Sequence, residues 1–383
     1  MKASELALGL RSPDPIVQRR SMAKAITLLE STRAQHRLQA DALLQCLQGE
    51  PMLSAFASRE GGAFIDTLRV GVSGSPGVGK STFIESLGLA LIERGHRVAV
   101  LAVDPSSTIS GGSIMGDKTR MEHLSVHPQA FVRPSPSSGN LGGVCEKTRE
   151  CMMVCEYSGY DVILVETVGV GQSEVAVANM TDVFLLLQLP NAGDDLQAMK
   201  KGVMEFADFV AINKCDLDAD AAMRAQASMV STLRLMEASK WVQSRVNESL
   251  EDLGLHALAP VQHPPLQLAG GSFSVEERVH QISALKRLGV HDLMEGLFAH
   301  RAWMKAHERW APKRQAQSLS WLWERVYSGL KSSFLDNLSV KDELPKVLAD
   351  VERGVLAPST AARFLLGLYW DPAPALKPKD PFL

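Results

Sequence analysis

The eight residues "GSPGVGKS", Gly74 to Ser81, are the first in this chain whose types and spacing could do chemistry. They fit G-x-x-x-x-G-K-[ST], end the apolar run "LRVGVSG" and open the helical stretch "STFIESLGLALIERG". That is the context a phosphate-binding loop requires. Glycines let backbone N–H groups curl around phosphates, and the following helix adds its positive N-terminal end. Gly74, Ser75, Pro76, Gly77, Val78 and Gly79 form the cradle, with Thr82 at its exit. Lys80 is placed to neutralise the β- and γ-phosphates, and Ser81 to offer a hydroxyl to Mg²⁺.

The base is read farther on. "NKCD", Asn213 to Asp216, ends the apolar run "DFVAINK". Asp216 can accept both N1–H and the exocyclic amine of guanine, a donor pair that adenine lacks. Asn213 can hold N7 and tether the loop, while the stem of Lys214 can lie over the ring. A site built to pair polar groups rejects a base that leaves them unpaired by roughly 10⁴-fold or more in the best cases. "QISALK" then supplies Ser283, Ala284 and Leu285, an element like the backbone contact to guanine O6 in GTPases. GTP is expected over ATP.

Two further stretches carry carboxylates. "VLAVDPSSTISGGSIMGDKTRM" offers Asp104 at a strand end and Asp117 farther along, with a serine- and glycine-rich middle suited to ordering around a γ-phosphate. "VETVGVGQSE" offers Glu166, with Gly169 three places on, where an amide can sense the γ-phosphate. Strand-end carboxylates also cap helices. Beside a phosphate-binding loop the reading is Mg²⁺-linked for Asp104 and Glu166 and switch-linked for Asp117, these three and Lys80 forming the catalytic set. Val170 stands where Ras-like enzymes carry a water-orienting glutamine, and Gln172 lies two positions beyond it. An apolar residue cannot orient water. Slow basal hydrolysis, completed by a rearranged switch or a partner, is expected.

The elements that must position these residues follow from periodicity. "LRVGVSG", "RVAVLAVD", "AFVRPSP", "YDVILVE", "DVFLLLQLP" and "DFVAINK" are continuous apolar runs, the pattern of strands covered on both faces. They predict an α/β fold with a mostly parallel sheet flanked by helices, and such sheets put their chemistry at strand carboxyl ends. Before them, residues 14 to 48 read as two amphipathic helices. Asp14 is the first N-cap, Pro15 follows at N1, and Ile16, Ala23, Ile26 and Leu29 form the apolar stripe. Beyond about residue 286 strand signals cease, and "SLSWLWERVYSGLKSSF" sets Leu319, Leu322, Val326, Leu330 and Phe334 on one helical face. That face packs either on the main domain or in a subunit interface, where apolar and aromatic residues are enriched. The expected division is 1–60 N-terminal helices, 61–300 nucleotide domain and 301–383 helical arm.

Bulk properties exclude several classes. A length of 383 residues allows two or three cores, and a net charge of −3 gives no electrostatic argument for nucleic acid or an anionic membrane. Five cysteines, an odd count without framework spacing, suit a reducing compartment. "MKASELALGL" is too short and weakly apolar for a secretory signal, and "VFLLLQL" is strand-length, so a cytoplasmic protein is expected. Cys151 and Cys155 share helical i, i+4 spacing, as do His123 and His127, and a GTP-dependent metallochaperone for nickel or another transition metal is the alternative reading. No C-x-C-C or C-x-x-C supports it, and free cysteine is usually a small buried hydrophobe. D-x-H-x-x-G, a cobalamin-ligating signature, is absent as well.

Taken together, "GSPGVGKSTFIESLG", the stretch from Asp104 to Met121, "FVRPSPSSGNLGGV", "YDVILVETVGVGQSE", "LLLQLPNAGDDLQAMKKGVMEFAD" and "NKCD" closely resemble the MeaB/ArgK family of P-loop GTPases. These are chaperones of adenosylcobalamin-dependent acyl-CoA mutases. The resemblance continues into "RQAQSLSWLWERV" and "LADVERGVLAPSTAARFLL" and so covers most of the chain. It implies N-terminal helices, a GTPase domain and a C-terminal arm that makes a homodimer. Asp104, Asp117 and Glu166 take magnesium and switch roles by this likeness. "LPNAGDDLQAMK" becomes an additional switch contacting the mutase, with Asp194, Asp195, Gln197 and Lys200 as its polar residues. The implied partners are methylmalonyl-CoA mutase or a relative, and its adenosyltransferase, with adenosylcobalamin held by the partner. The stretch between Asp216 and Ser283 is longer and more irregular than the family pattern, which bears on where the Ser-Ala element aligns.

Overall fold

The computed structural model describes residues 3–31, 33–49, 67–104, 121–136, 141–167, 173–191, 201–252 and 274–370. They fall into two compact units, Met1–Gln317 and Ser318–Leu383.

The first unit is built on seven strands: β1 (Leu68–Gly74), β2 (Val98–Asp104), β3 (Ala130–Pro136), β4 (Val162–Thr167), β5 (Val183–Gln188), β6 (Phe209–Ile212) and β7 (Val279–Gln281). Their order is β3-β2-β4-β1-β5-β6-β7, and every pairing is parallel. The all-apolar runs explain this: β4 and β5 are buried at every position, so helices must cover both faces. On one face lie α4 (Lys80–Glu93), through Phe83, Ile84, Leu87 and Leu91, and α10 (Val290–Ala306), through Leu293 and Leu297. On the other lie α6 (Leu141–Tyr157) and α7 (Ser173–Ala178), with α1 (Ala3–Leu10), α2 (Pro15–Glu30) and α3 (Ala34–Gly49) sharing the same core. Short helices α5 (Glu122–Val126) and α8 (Lys201–Met204) and long α9 (Ala219–Asp252) complete the connections.

Two sequence expectations shift. Asp14 does cap α2, accepting from the Ile16 amide at 2.8 Å. The buried stripe, however, is Met22, Ala25, Ile26 and Leu29, while Ile16 is 64% exposed and Ala23 is also exposed. A helix with apolar residues at several phases offers two stripes, and docking chooses one. Here Arg19 reaches the carbonyls of His127 and Ala130, turning Met22 inward. Strand β7 was not visible in sequence, because only Val279 of its three residues is buried.

α11 (Trp310–Asp336) runs across the boundary between the units and buries none of its residues. Leu319, Leu322, Val326 and Leu330 are exposed, at 62%, 55%, 38% and 55%. In the second unit α12 (Leu338–Glu352) and α13 (Pro358–Trp370) enclose a small core of Val340, Val347, Ala361 and Leu365, with Phe334 and Tyr369 packed against it. Asn337 caps α12 through Val340 N–H at 3.2 Å. Among the described residues no helix is long and apolar enough to cross a membrane.

Candidate functional site

β1 lies between β4 and β5, and its carboxyl end becomes the loop from Gly74 to Gly79. Gly74 has φ 153° and Gly79 φ 95°, both in the region L side chains rarely adopt. A Cβ on Gly74 would stand 2.6 Å from the Leu187 carbonyl of β5, and one on Gly79 2.8 Å from Asn213 Nδ2. The loop is therefore wedged between β5 and the "NKCD" segment, and any side chain at these positions would push it out. Gly79 is also the N-cap of α4, whose first amides face the loop.

Lys80 donates to the carbonyls of Gly74 at 2.7 Å and Ser75 at 3.2 Å, drawing the loop around its own ammonium. Burial lowers its pKa, with Glu166 and Glu174 acting in the opposite direction. Ser81 Oγ donates to Glu166 Oε1 at 3.1 Å. The register explains the meeting: Glu166 pairs with Val72 on one side and Ala102 on the other, so β4 delivers it beside the end of β1. Asp104 ends β2 two residues past Ala102, on the adjoining strand. Thr167 Oγ1 donates to Ser73 Oγ at 3.0 Å and joins the same strand ends.

A hydroxyl and a buried carboxylate in contact are hard oxygen donors. They fit Mg²⁺, which takes one or two carboxylates and otherwise keeps water and phosphate oxygens. Among the described residues no group of three or more His, Cys, Asp or Glu is arranged to hold a metal. Cys151 and Cys155 are buried in the core, where burial pushes both thiols up and keeps them neutral.

The residues expected to read the base converge through Asn213. Its Nδ2 donates to the Val78 carbonyl at 2.8 Å, while its Oδ1 accepts from the amides of Lys214 at 2.9 Å and Ala284 at 3.0 Å. One buried amide side chain thus ties the phosphate loop, the "NKCD" loop and the Ser-Ala element together. Lys214, at φ 62°, donates through Nζ to the Gly77 carbonyl at 3.0 Å. Asp216 lies beside Ser283 and Lys286: Lys286 Nζ is 3.1 Å from Oδ2, and the Ser283 hydroxyl and Lys286 hold the carboxyl below its usual range. Ser283 is buried and paired to Leu288 by two backbone hydrogen bonds, a tight turn that leaves Leu285 82% exposed.

The sequence-predicted residues Lys80, Ser81, Glu166, Asn213, Lys214, Asp216, Ser283 and Ala284 are therefore brought to one end of the sheet, with Asp104 on an adjoining strand end. Asp117, Gly169, Val170, Asp194, Asp195, Gln197 and Lys200 lie outside the described residues. Sequence reasoning missed Lys286 and Glu174. The first directly follows the "SAL" element and the second ends "VETVGVGQSE", so proximity to a recognised motif was the available signal.

The family model described as methylmalonyl Co-A mutase-associated GTPase MeaB matches residues 22–339. The chain belongs to this family. A probable GTPase of Mycobacterium tuberculosis is 42% identical over 94% of this chain and 93% of the relative. The mouse protein named methylmalonic aciduria type A homolog, mitochondrial, is 42% identical over 91% of this chain and 76% of its own length. A crystal structure described as LAO/AO transport system kinase superposes with a TM-score of 0.62 at 30% identity, covering 96% of this chain and 98% of that one. As a MeaB-family protein the chain is a P-loop GTPase.

Proposed function

We propose that this MeaB-family GTPase is a cytoplasmic timing switch for an adenosylcobalamin-dependent acyl-CoA mutase, gating cofactor loading and protecting or reactivating that enzyme. The observation carrying this reading is the match to a mutase-associated family across the nucleotide domain, together with the guanine-reading loop tied by Asn213. In this reading Lys80 neutralises phosphate charge, and Ser81, Asp104 and Glu166 hold Mg²⁺, which supplies charge neutralisation at the phosphates. Asp117 and the Gly169 amide respond to the γ-phosphate. Asp216 reads guanine, with Ser283, Ala284 and Leu285 closing the base site. Asp194, Asp195, Gln197 and Lys200 meet the mutase, and the adenosyltransferase is a further partner. The exposed stripe of Leu319, Leu322, Val326 and Leu330 forms a homodimer interface within the 301–383 arm.

The test is GTP turnover alone and with a mutase encoded by the same genome. Acceleration of about tenfold or more, roughly 1.4 kcal/mol of barrier, is expected. Lys200→Ala should lose the acceleration while retaining the basal rate. No acceleration by any such mutase, or equal loss of both rates, overturns the switch reading.

A further inference from the structure

Glu174 is 5% exposed, and its Oε2 is buried with no hydrogen-bond partner among the described residues. A buried carboxylate oxygen without a donor is costly, so its retention asks for a reason.

Topology places it at the nucleotide end. β4 finishes at Thr167 beside the phosphate loop, and α7 then runs back over the sheet toward the start of β5. Val177 packs over the middle of β1, close enough that a Cβ on Gly71 would lie 2.7 Å from its Cγ1. Glu174, three residues earlier, shares that helix face one turn closer to the strand ends. With Glu166, it is one of two carboxylates acting on the Lys80 ammonium.

The missing partner must be a donor. Phosphate oxygens are acceptors and cannot satisfy Oε2. The Lys80 ammonium already donates to Gly74 and Ser75 and has phosphates to neutralise. Water is the donor that arrives with a hydrated nucleotide, and Val170 offers nothing to hold it.

We propose that Glu174 orients the attacking water of GTP hydrolysis, accepting its hydrogen bond through Oε2. The water oxygen bonds to the γ-phosphorus as the bond to the β–γ bridging oxygen breaks, its electron pair leaving with GDP. Both hydrogens of the water end on the released phosphate as dihydrogen phosphate, so Glu174 aligns without a net proton gain.

Glu174→Met removes the acceptor and leaves an apolar chain of similar length, so it relieves the unpartnered buried oxygen and is expected to fold. Single-turnover hydrolysis should fall about 30-fold or more, with the affinity for a fluorescent GTP analogue within threefold of the parent and a melting temperature no lower than the parent's. Glu174→Gln, which keeps a carbonyl acceptor, should retain an intermediate rate and carries the same test if the Met variant does not fold. Hydrolysis within threefold of the parent overturns the proposal. So does a loss of affinity proportional to the loss of rate, which marks a structural role. Unlike Lys200→Ala, both Glu174 variants lower the rate without any mutase present, which separates this residue from the partner switch.

Discussion

The two ends of the parallel sheet are both polar, and they are polar in opposite ways. At the amino ends of the strands the charges are saturated. Asp182, just before β5, accepts from Arg314 Nε and Nη2 at 2.8 and 2.7 Å and from the Arg69 amide at 2.8 Å. Asp208, just before β6, lies 3.5 Å from Lys313 Nζ and accepts from the Phe184 amide at 2.9 Å. Burial pushes the Asp208 carboxyl up, but Lys313, His300 and that amide together hold it below its usual value. Arg69 is paired with both oxygens of Glu156 at 2.7 and 2.9 Å.

At the carboxyl ends, Asp216 is paired with Lys286, but the groups beside the phosphate loop are held differently. Lys80 meets carbonyls rather than a carboxylate contact, Glu166 meets a hydroxyl, and Glu174 keeps an unused oxygen. Groups in the first region have partners from the chain itself and are structural. On the proposed reading, those beside the phosphate loop await charges and donors that the nucleotide brings.

That contrast can be broken by mutation. The largest effect is expected at Asp216→Asn, which keeps the loop but removes the acceptor pair. GTP affinity should fall by about 10³-fold or more by titration calorimetry, with the melting temperature of the free protein nearly unchanged. Asp182→Ala should do the reverse. Removing a 1% exposed carboxylate leaves Arg314 and the Arg69 amide without it, so denaturant unfolding should show a loss of about 3 kcal/mol. GTP turnover per folded molecule should hardly change. If Asp182→Ala impaired catalysis in folded protein, the two ends would be coupled rather than separate.

Glu150, on α6, tests burial against pairing. Burial, with Asp41 adding to it, raises its carboxyl from 4.5 to about 7 despite Lys147. A raised folded pKa means that its contribution is fully present below pH 4.5 and is lost as pH rises through about 7. Glu150→Gln should therefore stabilise the protein by about 3 kcal/mol at pH 8, and leave stability nearly unchanged near pH 4, by thermal or chemical unfolding. The smallest effect belongs to Lys286→Met. This lysine is 58% exposed, and exposed ion pairs contribute little, so GDP affinity should change by about fivefold or less. A larger change would move Lys286 into the base-reading set.

Much of the site was legible because its motifs are local. The phosphate loop needs glycines at fixed offsets, and the base loop needs Asn213 and Asp216 three apart, both readable without knowing what packs where. The strands were legible for a similar reason: a run buried on both faces must be apolar throughout, as β4 and β5 are. Where burial is partial, the reading failed. β7 has one buried residue in three, and the α2 stripe moved to Met22 and Ala25 because several helix faces were apolar enough to dock. Glu174 was passed over for another reason: a glutamate in a helix's first turn reads as a solvated end until the sheet beneath it is known.

By itself, then, the sequence determined the nucleotide, the preference for guanine and the succession of strands and helices, since each follows from residue type and short-range spacing. The tertiary structure alone decided that Asn213 would bridge Val78 and Ala284, that Ser81 would meet Glu166 and that Glu174 would be buried. Those meetings join residues up to 135 positions apart, from Val78 to Asn213. They depend on β1 lying between β4 and β5, an order set by packing both sheet faces at once, which no local pattern carries.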